Sequence, residues 1–99
     1  MVRFRFWVNR QPIADRMMSD DEARHATTVG EGMLRSSDRY LMCVEDPAGV
    51  QAPWFRGNDE DFGQQIAQDE YGRKLPGDEL TWQKRHGIRH QPAYGPGAN

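Results

Sequence analysis

The stretch RYLMCVEDPAG at residues 39–49 decides the fold, because it combines a buried strand with the turn that ends it. Apolar residues occupy both sets of alternate positions from 40 to 44, which is typical of a central strand covered on both faces. The tetrapeptide at 46–49 has Asp, Pro and Gly where a type I turn prefers them. We therefore predict a strand over 39–45 and a hairpin partner over 50–56, in which Pro53 either places the strand at an edge of the sheet or forces a bulge.

The N-terminal segment predicts two further strands. Residues 3–8 alternate, with Arg3, Arg5 and Trp7 on one face and apolar residues on the other. Residues 9–17 then have the composition of a turn followed by a return strand. Pro12 would lie at the start of that strand, where the sheet needs no backbone N–H donor. Together these segments predict a hairpin that precedes the first helix.

Two helices are predicted from their start and stop signals. Ser19 and Glu22 have the spacing of a capping box, and small apolar residues follow at helical spacing, which indicates close packing on a sheet. We expect Asn58 to cap a second helix with an acidic first turn, and Gly72 to end it.

The last quarter of the chain has few signals for regular structure. Residues 78–85 predict one short helix anchored by Leu80 and Trp82, and glycine and proline recur from residue 87 onward. We therefore expect one α+β domain over 1–75 and a C-terminal extension over 76–99, a short helix and then an irregular tail, packed on the domain or on a partner.

The order of these elements predicts the fold class. A helix between strands crosses one face of a mostly antiparallel sheet, so we expect a small two-layer α+β sandwich. The sheet would have three to four strands, accompanied by the crossing helix, the second helix and the irregular C-terminal tail.

The composition limits the class of protein. Ninety-nine residues form one domain, and a hydrophobic fraction of 36% predicts one small core with little left for a deep pocket. No apolar run approaches the length of a membrane span or of a signal sequence, so we expect no membrane contact. A single cysteine excludes an intrachain disulfide and favours a cytoplasmic protein.

The charges are unevenly distributed although the net charge is only −2. Residues 1–18 and 72–99 each carry +3, and residues 19–46 and 47–71 each carry −4. If the two ends meet in the fold, the surface is dipolar, which suits self-association as well as binding to another macromolecule.

Catalytic and metal-binding patterns are weak. Cys43 could act as a nucleophile with His25, His86 or His90 as base, but a thiol on a central apolar strand has a raised pKa. His86 and His90 have the spacing of a helical metal pair, yet Gly87 and a nearby proline oppose a helix there. We predict no catalytic residue, no metal and no cofactor.

The aromatic and basic residues favour a binding role. Adjacent Trp54 and Phe55 must point to opposite faces of a strand, and Trp7 lies away from the predicted core. Two interpretations are open: at least one of these rings lies at the surface, as an interface would require, or the second helix or the tail covers that face. We predict a partner-binding surface from these rings, the bases beside them and the tail: Arg3, Arg5, Trp7, Trp54, Phe55, Trp82, Arg85 and Arg89.

Three classes of function fit these residues. The leading hypothesis is a non-enzymatic protein–protein interaction module, a small inhibitor or accessory factor of phage or mobile-element type, with a possible homodimer through the edge strand at 50–56. The alternative is a single-stranded nucleic-acid binder in which Trp82 and Tyr94 flank the basic run at 84–90. The third is a small enzyme that uses Cys43 or a His–acid pair.

Overall fold

The computed structural model describes residues 1–75 and the two residues 81–82. Its elements form an α+β fold, as predicted, in which each of two strand pairs is followed by a helix. They are β1 (Val2–Val8), β2 (Gln11–Met18), α1 (Asp20–Gly32), β3 (Tyr40–Glu45), β4 (Trp54–Gly57), α2 (Glu60–Tyr71) and β5 (Thr81–Trp82).

One mostly antiparallel sheet organises the domain. Its strand order is β2-β1-β3-β4-β5, in which only β4 and β5 are parallel. β3 lies between β1 and β4 and is buried along almost its whole length, which confirms the prediction of a central strand. The β1–β2 turn is tight, because Asn9 and Arg10 both adopt positive φ angles, the conformation that two-residue hairpin turns require.

The predictions for β4 and for the segment 78–85 need correction. β4 begins only at Trp54, and its residues Arg56 and Gly57 pair with β5 on the side away from β3, so this strand is not an open edge as expected. Thr81 and Trp82 form that partner strand where a short helix was predicted. The other residues of the C-terminal extension lie outside the described part of the chain.

Each face of the sheet carries its own apolar cluster and its own helix. The α1 face is built from alternate residues of β1 and β3 with Ala23 of α1, and the α2 face from the intervening residues with Ala67 of α2. The buried residues of the α1 face are Phe4, Phe6, Met18, Ala23, Tyr40, Met42, Val44 and Trp54. Those of the α2 face are Trp7, Leu41, Cys43, Phe55, Ala67 and Leu75.

Two of the signals at the helix termini are confirmed, whereas α1 ends at Gly32, before the stop expected at 36–38. Ser19 and Glu22 form the predicted capping box, and Gly72 ends α2 in the left-handed conformation. The N-cap of α2 is Asp59 and not Asn58, since the Asp59 carboxylate accepts a hydrogen bond from the backbone N–H of Phe62. Asn58 instead accepts a hydrogen bond from the Tyr40 N–H at 2.7 Å.

Candidate functional site

The rings of Trp7, Trp54 and Phe55 are buried, so the expectation that one of them lies at the surface is wrong. Trp7 is 8% exposed, and its ring packs edge-on against Phe62 of α2, with 5.6 Å between the centroids. Trp54 and Phe55 lie on opposite faces, as predicted, at 7% and 0% exposure. All three are covered because a helix packs on each face of the sheet.

Arg3 and Arg5 lie on the α2 face of β1, on the same side as Trp7, and both are held in ion pairs. Arg5 makes a bidentate pair with Glu70 at 2.6 and 2.8 Å, and its guanidinium lies 4.6 Å from the centroid of the Trp7 ring. Arg3 makes a bidentate pair with Asp15 at 2.7 and 2.8 Å. The hydrogen bonds from these arginines hold the pKa of each carboxylate partner below its usual value.

The three remaining members of the predicted binding surface are in the C-terminal extension. Trp82 belongs to β5, at the opposite end of the sheet from β2. Arg85 and Arg89 lie outside the described residues, as do His86 and His90. The described members of the predicted set are therefore spread over both faces of the sheet and form no single patch.

Cys43 lies in the interior of the α2 face. It is fully buried, and burial raises the pKa of its thiol to about 12, so the thiolate is scarcely populated at neutral pH. Its Sγ lies 3.8 Å from the hydroxyl of Tyr71. His25, one of the bases considered for it, belongs to α1, which packs on the other face.

The outer side of β2 is an open edge of the sheet among the described residues. No described strand pairs with that side, and six of its eight residues are exposed. Ile13 and Met17 are large apolar residues on this strand, at 54% and 47% exposure. The pairing with β1 is irregular near Ile13, which leaves a regular stretch from Ala14 to Met18.

A groove runs between β2 and α1, and we call it the edge groove. It has a volume of about 500 Å³. Met18, Ala26 and Val29 form its apolar floor and wall, and Val29 is 46% exposed. The full lining is Arg16, Met18, Asp21, Glu22, His25, Ala26 and Val29. The edge of the sheet and this groove adjoin, because Arg16 and Met18 belong to both.

The polar rim of the edge groove is partly committed to the start of α1. The Glu22 carboxylate accepts the Ser19 backbone N–H at 3.0 Å, and this bond holds the pKa of Glu22 below its usual value. Asp21 lies in the same first turn, where the helix dipole favours acids. The rim therefore combines a cation from Arg16 with two carboxylates.

A second cavity, of about 480 Å³, lies under the β3–β4 loop. Of its two acidic residues, Glu45 and Asp46, the second is occupied with the loop itself, because its carboxylate accepts the backbone N–H groups of Ala48, Val50 and Gln51. These bonds give Asp46 a structural role. Tyr71 and Arg73 complete one wall of this cavity from the end of α2.

The β2 edge was not predicted as a site from the sequence, although its composition carried a signal. A strand that contains Pro12, Asp15 and Arg16 has the residues with which natural sheets limit edge-to-edge pairing. Those residues could have placed β2 at the edge. They could not have predicted the groove, which depends on where α1 crosses the sheet.

The described residues contain no group of three or more acidic, histidine or cysteine side chains arranged to hold a metal ion. No helix in the described part has the length and apolarity needed to cross a bilayer. Comparisons with protein-family models, with curated proteins and with solved structures found no match for this chain.

Proposed function

We propose that this protein is a non-enzymatic interaction module that binds a protein partner along the outer side of β2 and in the edge groove. The observation that carries the proposal is the open edge itself, where backbone donors and acceptors, exposed Ile13 and Met17 and an apolar groove occur side by side. An exposed strand edge is a template for another strand. Pro12 lies outside the regular stretch 14–18, and the charges of Asp15 and Arg16 restrict which segments can pair there.

The occupant that fits this arrangement is an extended segment of another protein. A strand added to β2 would gain main-chain hydrogen bonds, and its alternate side chains would fall on the two faces of the sheet. Those on the α1 face would enter the edge groove beside Met18 and Val29. Those on the α2 face would lie beside Met17, which shares that face with Arg3.

Several observations support a protein partner over a nucleic acid. Trp7, Trp54 and Phe55 are buried and offer no stacking surface. The guanidinium groups of Arg3 and Arg5 are engaged by carboxylates, which leaves them poorly placed to neutralise phosphates.

The proposed role needs no chemistry from Cys43, whose thiol has a pKa of about 12 and is fully buried. A buried thiol in a chain with one cysteine also suits a reducing compartment, so we propose that the protein works in the cytoplasm.

The experiment that tests the proposal is site-specific photocrosslinking with a matched control. A photoreactive phenylalanine analogue replaces Met17 in one variant and Val50 in another, since Val50 is an equally apolar loop residue at 82% exposure outside the edge groove. Each protein is expressed in its host and irradiated, and adducts are identified by mass spectrometry.

We expect a discrete protein adduct from position 17 that position 50 does not give, and loss of that adduct when Ile13→Lys is added. Adducts of equal yield at both positions would refute the assignment of the site. If nuclease removes the adduct, the partner is a nucleic acid and not a protein. If the crosslinked species has twice the mass of this chain, the partner is a second copy of the chain.

A further inference from the structure

The α1 face contains a buried ionic cluster that plays no part in the proposed interaction. Glu31 of α1 makes a bidentate pair with Arg56 of β4, with N–O distances of 2.6 and 2.7 Å. The hydroxyl of Tyr40 on β3 donates to the same carboxylate at 2.5 Å. Glu31 is 6% exposed and the other two residues 1%, so solvent scarcely reaches the cluster.

The cluster lies where the helix approaches the sheet most closely. At the preceding residue, Gly30, an added Cβ would come within 2.8 Å of the Met42 Cε and 3.1 Å of the Phe6 ring. The missing side chain sets the depth at which α1 lies. A shift of α1 by one residue would bring a Cβ into this contact, so Gly30 already disfavours such a shift. The other buried α1 contacts are made by small residues such as Ala23, which discriminate less sharply between positions of the helix.

A bidentate carboxylate–guanidinium pair tolerates little displacement. Glu31 must meet two fixed N–H groups of Arg56 and the hydroxyl of Tyr40 at once. A shift of α1 by one residue would remove Glu31 from all three donors and leave Arg56 buried without this carboxylate, which is strongly unfavourable. The ion pair therefore disfavours alternative positions of α1.

We infer that Glu31, Arg56 and Tyr40 form a register lock, which selects one docked position of α1 while adding little net stability to the fold. Desolvation of a buried ion pair offsets most of its attraction, so well-packed apolar residues can replace such a pair without loss of stability. This inference stands apart from the proposed interaction, although the locked helix is also the one that forms a wall of the edge groove.

The test compares broken and fully replaced clusters. The single variants Glu31→Met and Arg56→Met each remove one of the two opposite charges of this buried pair, and we expect each to lower the melting temperature by about 12 °C or more. The triple variant Glu31→Met, Arg56→Met, Tyr40→Phe removes all three polar groups. We expect its melting temperature to return to within a few degrees of the wild-type value.

The readout of register is separate from stability. In the triple variant we expect doubled or broadened amide resonances in α1 and at least tenfold faster hydrogen exchange there, while α2 is unchanged. The control variant Arg3→Met with Asp15→Met replaces a well-exposed ion pair and should alter neither property of α1. This control distinguishes the general effect of losing an ion pair from the specific effect of losing the pair between Glu31 and Arg56.

Two results would overturn the inference. A triple variant as unstable as the single variants, or unfolded, would mean that the cluster contributes net stability. A triple variant with wild-type stability and wild-type protection of α1 would mean that apolar packing alone selects the position of the helix.

Discussion

Replacement of Asp59 gives the sharpest test of the local structure at the start of α2. The Asp59 carboxylate is 1% exposed and accepts four hydrogen bonds: two from Arg10 at 3.1 and 3.2 Å, one from Arg39 at 3.0 Å and one from the Phe62 N–H at 3.4 Å. Burial alone would raise its pKa, but the hydrogen bonds and the two arginine charges outweigh burial and lower it.

The expected loss follows from these contacts. Removal of an N-cap costs about 1 kcal/mol. Loss of the buried acceptor adds about 1 to 2 kcal/mol. The cost is no larger because Arg10 and Arg39 are about half exposed, so water can hydrate their guanidinium groups once the carboxylate is gone. Asp59→Ala should therefore lower the free energy of unfolding by about 2 to 3 kcal/mol, or the melting temperature by about 8 to 24 °C. Asp59→Asn keeps a capping oxygen and should lose about half as much.

The pH dependence has a definite sign. Because the pKa of Asp59 is lowered on folding, its contribution is complete above the unfolded value of 3.8 and is lost as the pH falls through the folded value. Urea unfolding from pH 7 to pH 2.5 should therefore show a steeper acid loss for the wild type than for Asp59→Asn. The exposed first-turn variant Asp61→Asn should change stability by less than about 0.5 kcal/mol. Equal effects of Asp59→Ala and Asp61→Asn would refute the assignment of Asp59 as the buried cap.

Three further predictions can be checked by urea unfolding and thiol titration. Gly57→Ala should lower the free energy of unfolding by about 3 kcal/mol, because the added Cβ would come within 2.3 Å of the Tyr40 carbonyl oxygen. Gly32→Ala has open space around the added Cβ and should raise that free energy by up to about 1 kcal/mol. Similar effects at the two sites would contradict this reasoning. Cys43 should resist alkylation at pH 8 until the protein unfolds, and rapid labelling of the native state would show that the thiol is accessible. Glu70→Gln should lower the free energy of unfolding by about 1 kcal/mol at pH 7, because it removes the charge that pairs with Arg5. The difference from the wild type should vanish as the pH falls through the lowered pKa of Glu70. A loss of stability that persists in acid would not come from the ion pair.

The parts of the fold that could be predicted from sequence are those fixed by local chemistry. The strand over 40–45, the turn at 46–49 and the capping box at Ser19 depend on residues that are neighbours along the chain, and all three are present in the structure. The same holds for Gly72, whose left-handed conformation ends α2.

The choice between Asn58 and Asp59 as the cap of α2 could not be made in that way. Both residue types are strong N-caps, so propensity does not discriminate between them. The choice is made by contacts distant in sequence, since Asn58 binds the backbone of Tyr40 while Arg10 and Arg39 converge on Asp59. A one-residue change in where a helix starts thus depends on tertiary structure.

The burial of the predicted binding rings has a physical reason that composition already implied. A sheet covered on both faces needs two apolar clusters, and a chain with 36% hydrophobic residues must use its largest rings to fill both. Trp7 and Phe55 fill the α2 face and Trp54 the α1 face. With these rings used in the interior, the large apolar residues left at the open edge are aliphatic, namely Ile13 and Met17. The interaction proposed above therefore relies on backbone pairing at a strand edge and not on an aromatic patch.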